Sequence, residues 1–193
     1  MVYLAVFKLL LSRIAGVNDV IVGTAVAGRP HADLESIIGM FVNTLALRSQ
    51  IDQHQRFNDF LIKLGTDCRE AFENQEYPFE ELVEKVVDRR DMSRNPIFDV
   101  MFSYDEKQLD TDEMNGREDN GEKPAATRSE TAKFDLSLSV MGNNENAVFG
   151  IQYCTRLFKA ETIERFGTFF HILAAAVADA PEIMIADIDI TPE

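Results

Sequence analysis

Tryptophan is absent from this chain, and its 193 residues include only two cysteines, three histidines and six prolines. Cys68 and Cys154 show neither metal-ligand spacing nor the numbers for a disulfide framework, so both read as buried thiols of a reducing compartment. His31, His54 and His171 stand far apart with no cysteine or carboxylate at ligand spacing, which excludes the common zinc sites. A glycine-rich phosphate loop, a His-Glu-x-x-His pair and a Gly-x-Ser-x-Gly nucleophile turn are also missing. No complete active site assembles from the residues alone. Basic residues are scarce, 19 against 33 acidic, for a net charge of −14. Nucleic acid and anionic membrane both demand a basic footprint, so neither is an expected partner. No run approaches the roughly 18 apolar residues of a membrane span. The apolar start at residues 1–11 has its charges, Lys8 and Arg13, on the C-terminal side, where a signal peptide has them in front. A cytoplasmic protein is expected, and a helix buried from residue 1 is what a piece of a longer chain would show.

What is present describes a globular domain. Hydrophobic residues make up 46% and charged residues 27%, ordinary values for a soluble fold, and fourteen phenylalanines supply the aromatic core. Residues 2–15 are apolar on nearly every side, the pattern of a helix buried from several directions, with Gly16 as its C-cap. The continuous apolar run 20–26 predicts an interior strand covered on both faces. A loop over 28–39 leads to a strand at 41–47. Phe57, Phe60, Leu61, Leu64, Cys68, Ala71 and Phe72 form one helical stripe. Pro78 fits the first turn of a second helix over 79–89, with Glu80 and Glu81 suited to its dipole. Strands are predicted at 97–104 and 133–140, both with period-two alternation. Between them, residues 105–131 read as a mobile surface loop, and 105–123 hold eight acids. Residues 142–146 predict a hairpin into a strand at 147–155. A final helix runs to about 180, and 183–190 form a short strand or edge segment. Interleaved helices and strands give an α/β class with a mixed sheet.

The stretch from Gly28 to Arg48 is the strongest candidate for function. It turns at Gly28 and Gly39 and delivers Asn43 and Thr44, on opposite faces, to a strand mouth. Polar groups there are either hydrogen-bonded structure or part of a channel. His31 is a solvated loop histidine or a channel residue. Arg48 reads as a salt-bridge partner, His171 as a helix-surface or core-edge residue, and His54 as a solvated or capping one. In the corner 74–80, Tyr77 and Phe79 dock while Pro78 opens the helix. Arg90, Asp91 and Arg94 read as a charged lock between helix and strand.

Three of these segments resemble signature motifs of nonribosomal peptide synthetase condensation domains, in that family's order. They are Ile38-Gly39-Met40-Phe41-Val42-Asn43-Thr44-Leu45-Ala46-Leu47-Arg48, Asn74-Gln75-Glu76-Tyr77-Pro78-Phe79-Glu80, and Arg90-Asp91-Met92-Ser93-Arg94-Asn95-Pro96-Ile97. Glu76 stands where Asp is usual, and Met92 and Ile97 are mild variants. Asp19 to Thr24, Ala27-Gly28-Arg29 and Lys133 to Leu136 are similar to the family as well. The family's catalytic His-His-x-x-x-Asp-Gly is absent, and it belongs to the N-terminal half. The resemblance therefore implies that residues 1–193 are the C-terminal subdomain, one half of a chloramphenicol acetyltransferase-like pseudo-dimer, without a catalytic residue of its own and inactive alone.

It implies further that the parent is an amide-forming acyltransferase of peptide antibiotic biosynthesis, joining a donor acyl thioester to an acceptor amine. No cofactor or metal is bound by this chain; 4'-phosphopantetheine is presented by peptidyl carrier proteins. The implied partners are the N-terminal half of the domain, the carriers and an adjacent adenylation domain, with self-association through the exposed half-domain face. By the same resemblance Gly28, Arg29, His31, Gly39, Phe41, Asn43 and Thr44 belong to the channel floor. Arg48, Tyr77, Pro78, Phe79, Arg90, Asp91, Arg94, Asn95 and Pro96 are motif residues with structural roles, and the region 133–155 holds the crossover to the other half. The run Phe41 to Thr44 favours condensation over the related epimerisation and heterocyclisation domains, and Gly28 to Glu35 resembles members joining two L-residues. The alternative is a non-catalytic module that binds a carrier or neighbouring domain.

Overall fold

The computed structural model describes residues 1–34, 36–89, 94–105, 131–142 and 147–190. Arg90, Asp91, the hairpin tip and nearly all of the loop expected at 105–131 lie outside them. Among the described residues five strands form one mixed sheet: β1 (Asp19–Val26), β2 (Asn43–Gln50), β3 (Val100–Asp105), β4 (Leu136–Gly142) and β5 (Ala147–Tyr153), in the order β2-β1-β3-β4-β5. The inner three run parallel, and the two outer strands are antiparallel to their neighbours. The α-helices among the described residues are α1 (Val2–Ala15), α2 (Phe57–Glu73), α3 (Phe79–Val86) and α4 (Ala160–Asp179).

Alternation assigns each strand residue to a face. Val20, Val22 and Val26 of β1, Leu45 and Leu47 of β2, Phe102 of β3 and Leu136, Leu138 and Val140 of β4 share one core with the apolar stripes of α1, α2 and α4. Helix α1 packs against β1, α2 and α4 together, which is why it is apolar all round. It ends at Gly16, whose φ of 66° admits the left-handed cap that a β-carbon would disfavour. The N-terminus of α2 is closed by the chain's tail. Phe57 and Asn58 donate their N–H groups to the carbonyls of Ile183 and Pro181, at 2.9 and 3.0 Å. Glu182 accepts from Arg56 and from the Asn58 amide, and its charge also suits the helix dipole.

Several expectations are corrected. The strand expected at 41–47 begins at Asn43 and runs to Gln50, because Phe41 belongs to the loop before it. Helix α3 stops at Val86, where Val87 turns extended. Strand β3 begins at Val100, since Phe98 leaves the ladder to lie across β1 and Asp99 pairs with Arg94. The predicted strand at 133–140 is β4, shifted to Leu136–Gly142. The tail at 183–190 is no strand. It forms an isolated bridge from Met184 to Arg56 and a 3-10 turn at Ile185–Asp187, anchored by buried Ile185 and Ile188. Strand β1 is not covered evenly: on its second face Ile21 is half-buried, Gly23 lies beneath the Phe98 ring and Ala25 is exposed.

Candidate functional site

The loop from 27 to 42 leaves the carboxyl end of β1, the end at which open α/β sheets build their sites. It closes around Phe41. Gly28 has a φ of 64°, and a β-carbon on it would overlap the Phe41 carbonyl oxygen. Gly39 passes close to the same ring. The Arg29 guanidinium lies 4.2 Å from the ring centroid, donates to the Leu34 carbonyl, and reaches Gly39 O at 3.5 Å. One cation thus holds both arms of the loop on one aromatic face. His31 is exposed; its carbonyl accepts from Leu34 N–H in the short 3-10 turn Ala32–Leu34. Beyond it, Ile37, Ile38, Met40 and Val42 project outward, with Ile38 fully accessible.

Asn43 stands where the loop becomes β2. Its Nδ2 donates to Gln75 O at 2.7 Å and to Tyr77 O at 2.8 Å, while Oδ1 accepts from Thr44 N–H at 2.8 Å and Phe79 N–H at 3.3 Å. Two signature segments, far apart in sequence, are therefore joined by one side chain. Pro78 occupies the position before the first helical residue, Phe79, so Asn43 supplies the cap that α3 lacks locally. Tyr77 is partly exposed, with the Lys85 ammonium 5.1 Å from its ring centroid. The Tyr77 hydroxyl beside it holds Lys85 above the ordinary lysine range.

Phe79 begins an aromatic row. Its ring lies 5.6 Å from Phe98, which lies 5.7 Å from Phe134. Phe98 is buried where a side chain on Gly23 would be, on the face of β1 away from α1. Val83 and Phe98 are both buried outside the main core, so α3 and this row form a second, smaller apolar cluster. Part of that face carries small or hydroxyl side chains in register: Thr44 opposite Ala25, and Ser103 opposite Ser139, joined Oγ to Oγ at 3.0 Å, with Gly150 next; Ile21, Arg48, Met101, Met141 and Val148 share the face.

Other predicted residues are structural in their contacts. Arg48 grips Asp19 with two parallel bonds of 2.9 and 2.7 Å, which hold the Asp19 carboxyl below its usual range. Arg94 pairs with Asp99, and Asn95 and Pro96 lie in the turn between that pair. At the opposite end of the sheet from the loop, a cleft of about 470 Å³ between the end of α1 and the starts of β1, β3 and β4 is apolar, rimmed by Asp19, Asp99 and Asp135. Burial, and then the neighbouring Asp99, push the Asp135 carboxyl up. Strands β4 and β5, expected to hold the crossover, pair with each other in this chain's own sheet. His54 and His171 are exposed. No cluster of His, Cys, Asp or Glu able to hold a metal exists among the described residues, and no described helix is long and apolar enough to cross a membrane.

Two features escaped the sequence reading. Lys8 is entirely buried, donating to Leu47 O at 2.6 Å and Ser49 Oγ at 3.0 Å; a lone lysine in an apolar helix was the signal. Gly23 inside a strand marked the close approach of Phe98.

A mixed sheet with helices packed on one face, and a glycine-hinged loop at the carboxyl end of its first strand, defines the class as an α/β domain with a loop-built site. The condensation-domain model matches residues 1–193, and the chain belongs to that family. Gramicidin S synthase 2 of Brevibacillus brevis is 42% identical over 196 residues, spanning all of this chain and 4% of that protein. The crystal structure of holo-AB3403, a four-domain nonribosomal peptide synthetase bound to AMP and glycine, superposes with a TM-score of 0.85 at 26% identity, over 100% of this chain and 16% of that one. The condensation domain of the monacolin K polyketide synthase MokA shares the fold, with a TM-score of 0.77 at 19% identity, over 96% of this chain and 42% of that one.

Proposed function

We propose that this chain is the C-terminal half of a nonribosomal peptide synthetase condensation domain and forms one wall of an amide-forming channel. The observation that carries the reading is coverage: the chain matches the family along its whole length yet spans only 42% of a solved condensation-domain chain. The absence of a His-His-x-x-x-Asp-Gly motif from the sequence supports the same reading. The strip of Thr44, Ala25, Ser103, Ser139 and Gly150, on the sheet face that carries the Phe79–Phe98–Phe134 row, is a suitable wall for an extended thioester-borne chain.

In the reaction the acceptor amine attacks the donor thioester carbonyl. A C–N bond forms, the C–S bond breaks, the thiolate leaves with its carrier, and the amine proton passes to a base that the other half supplies. Orientation of the two chains and stabilisation of the tetrahedral oxyanion are the chemical needs. The part of this chain is orientation. Gly28, Arg29 and Phe41 hold the floor loop in one shape, and Asn43 locks its exit. The partners of this reading are the N-terminal half, peptidyl carrier proteins bearing 4'-phosphopantetheine, and an adenylation domain, all in the cytoplasm.

The test is to express the chain together with the reading frame that precedes it and supply loaded donor and acceptor carriers. Dipeptide on the acceptor carrier, abolished by alanine at the second histidine of the upstream motif, is the expected result. An upstream frame with no such motif, or a product indifferent to that histidine, overturns the reading.

A further inference from the structure

An asparagine amide offers two N–H donors and one oxygen that accepts two bonds. Asn43 has committed all of this to backbone: both donors to Gln75 and Tyr77, and both acceptor positions to Thr44 and Phe79. Nothing remains for a substrate. What the amide does hold is the first residue of α3, whose ring starts the row Phe79–Phe98–Phe134. The centre of that row fills the space above Gly23 and admits no side chain there. Neighbouring strand residues on that face are Met101, paired with Gly23, and Ala46, also paired with it.

We propose that Asn43 is a positioning residue: it sets the aromatic row on the second face of the sheet through the start of α3, and it does not touch substrate. This rests on the condensation reading only where the row is taken to shape the channel; the link from Asn43 to the row stands without it. Release of the amide frees three backbone groups of the corner at once, and the Phe79 ring then loses the anchor that fixes it against Phe98. The loop, the corner and the row respond together because one side chain closes the strand mouth and caps the helix.

The experiment has two arms. In the chain as it stands, amide hydrogen exchange is compared for wild type, Asn43→Ala and Asn43→Asp. The aspartate keeps both acceptor positions, so Thr44 and Phe79 stay protected, while the carbonyls of Gln75 and Tyr77 lose their donors. With alanine, exchange at Phe79 rises about tenfold or more and the aromatic signals of Phe98 shift. In the longer protein, Asn43→Ala and Phe98→Leu are combined in a double-mutant cycle on kcat/KM. Each single change lowers it by about tenfold, and the double falls little further because both act on one element. Multiplying losses in the cycle, or a rate loss in Asn43→Ala with Phe79 exchange and Phe98 signals unchanged, overturns the proposal and makes Asn43 a substrate contact. If every longer form lacks turnover, the condensation reading fails, while the exchange arm still decides the link from Asn43 to the row.

Discussion

At the scale of single residues, Lys8 is a cation held against desolvation in the core. Burial pushes its pKa from 10.5 down to about 8, against weaker opposing help from Cys68, Asp67 and Asp19. The unfolded chain keeps that proton up to its ordinary value, so the folded state carries the full cost below pH 8 and is relieved as the pH rises toward 10.5. The relief amounts to about 3 kcal/mol over the whole window. The cleanest interval is pH 8 to 9, because the Cys68 thiol, held above its ordinary 9.0 by burial, opposes the trend higher up. Urea midpoints measured across that interval are expected to rise for wild type and stay flat for Lys8→Met; equal slopes in the two proteins would contradict the assignment. Gly28 is the second case. Alanine there meets both a left-handed φ and the Phe41 carbonyl, and a loss of about 2–4 kcal/mol in chemical denaturation is expected. A loss below 0.5 kcal/mol would mean that the loop re-forms without this contact.

At the scale of elements, the loop from 27 to 42 depends on Arg29. The guanidinium bonds two carbonyls and covers Phe41, a combination that an ammonium cannot reproduce. Arg29→Lys and Arg29→Ala should both raise exchange of the loop amides while leaving β1 and β2 protected; rescue by lysine would show that charge alone suffices. Much of this element level was legible beforehand. Helix α1, the α2 stripe, Gly16 as a cap and the alternation of Leu136, Leu138 and Val140 follow from periodicity, because each is decided by local pattern and one buried face. Boundaries were less so. Phe41 and Phe98 look like strand residues by composition, but tertiary contacts with Arg29 and Gly23 draw them out of the ladder. The tail carries strand-like residues, and its backbone is instead drawn to the open N-terminus of α2. Asn43 illustrates the same limit at the site: its type and place marked it as a polar group needing partners, but those partners sit more than thirty residues away.

At the scale of the molecule, α1, α2 and α4 cover one face of the sheet, and α3 with its aromatic row lies on the other. The loop meanwhile presents Ile37, Ile38, Met40 and Val42 to solvent, an apolar run that a finished surface rarely shows. The isolated chain is expected to self-associate in sedimentation, and Ile38→Ser with Met40→Ser to shift it toward monomer; a wild-type monomer that binds no apolar dye would speak against an uncovered face. The most direct measurement is reconstitution. Donor- and acceptor-loaded carriers are mixed with this chain alone, with the proposed N-terminal half alone, and with both, and the acceptor carrier is weighed by intact-mass spectrometry. A half-domain predicts the dipeptide mass only when both pieces are present. Product formed by this chain alone, at a rate above the carriers' background, would contradict the account.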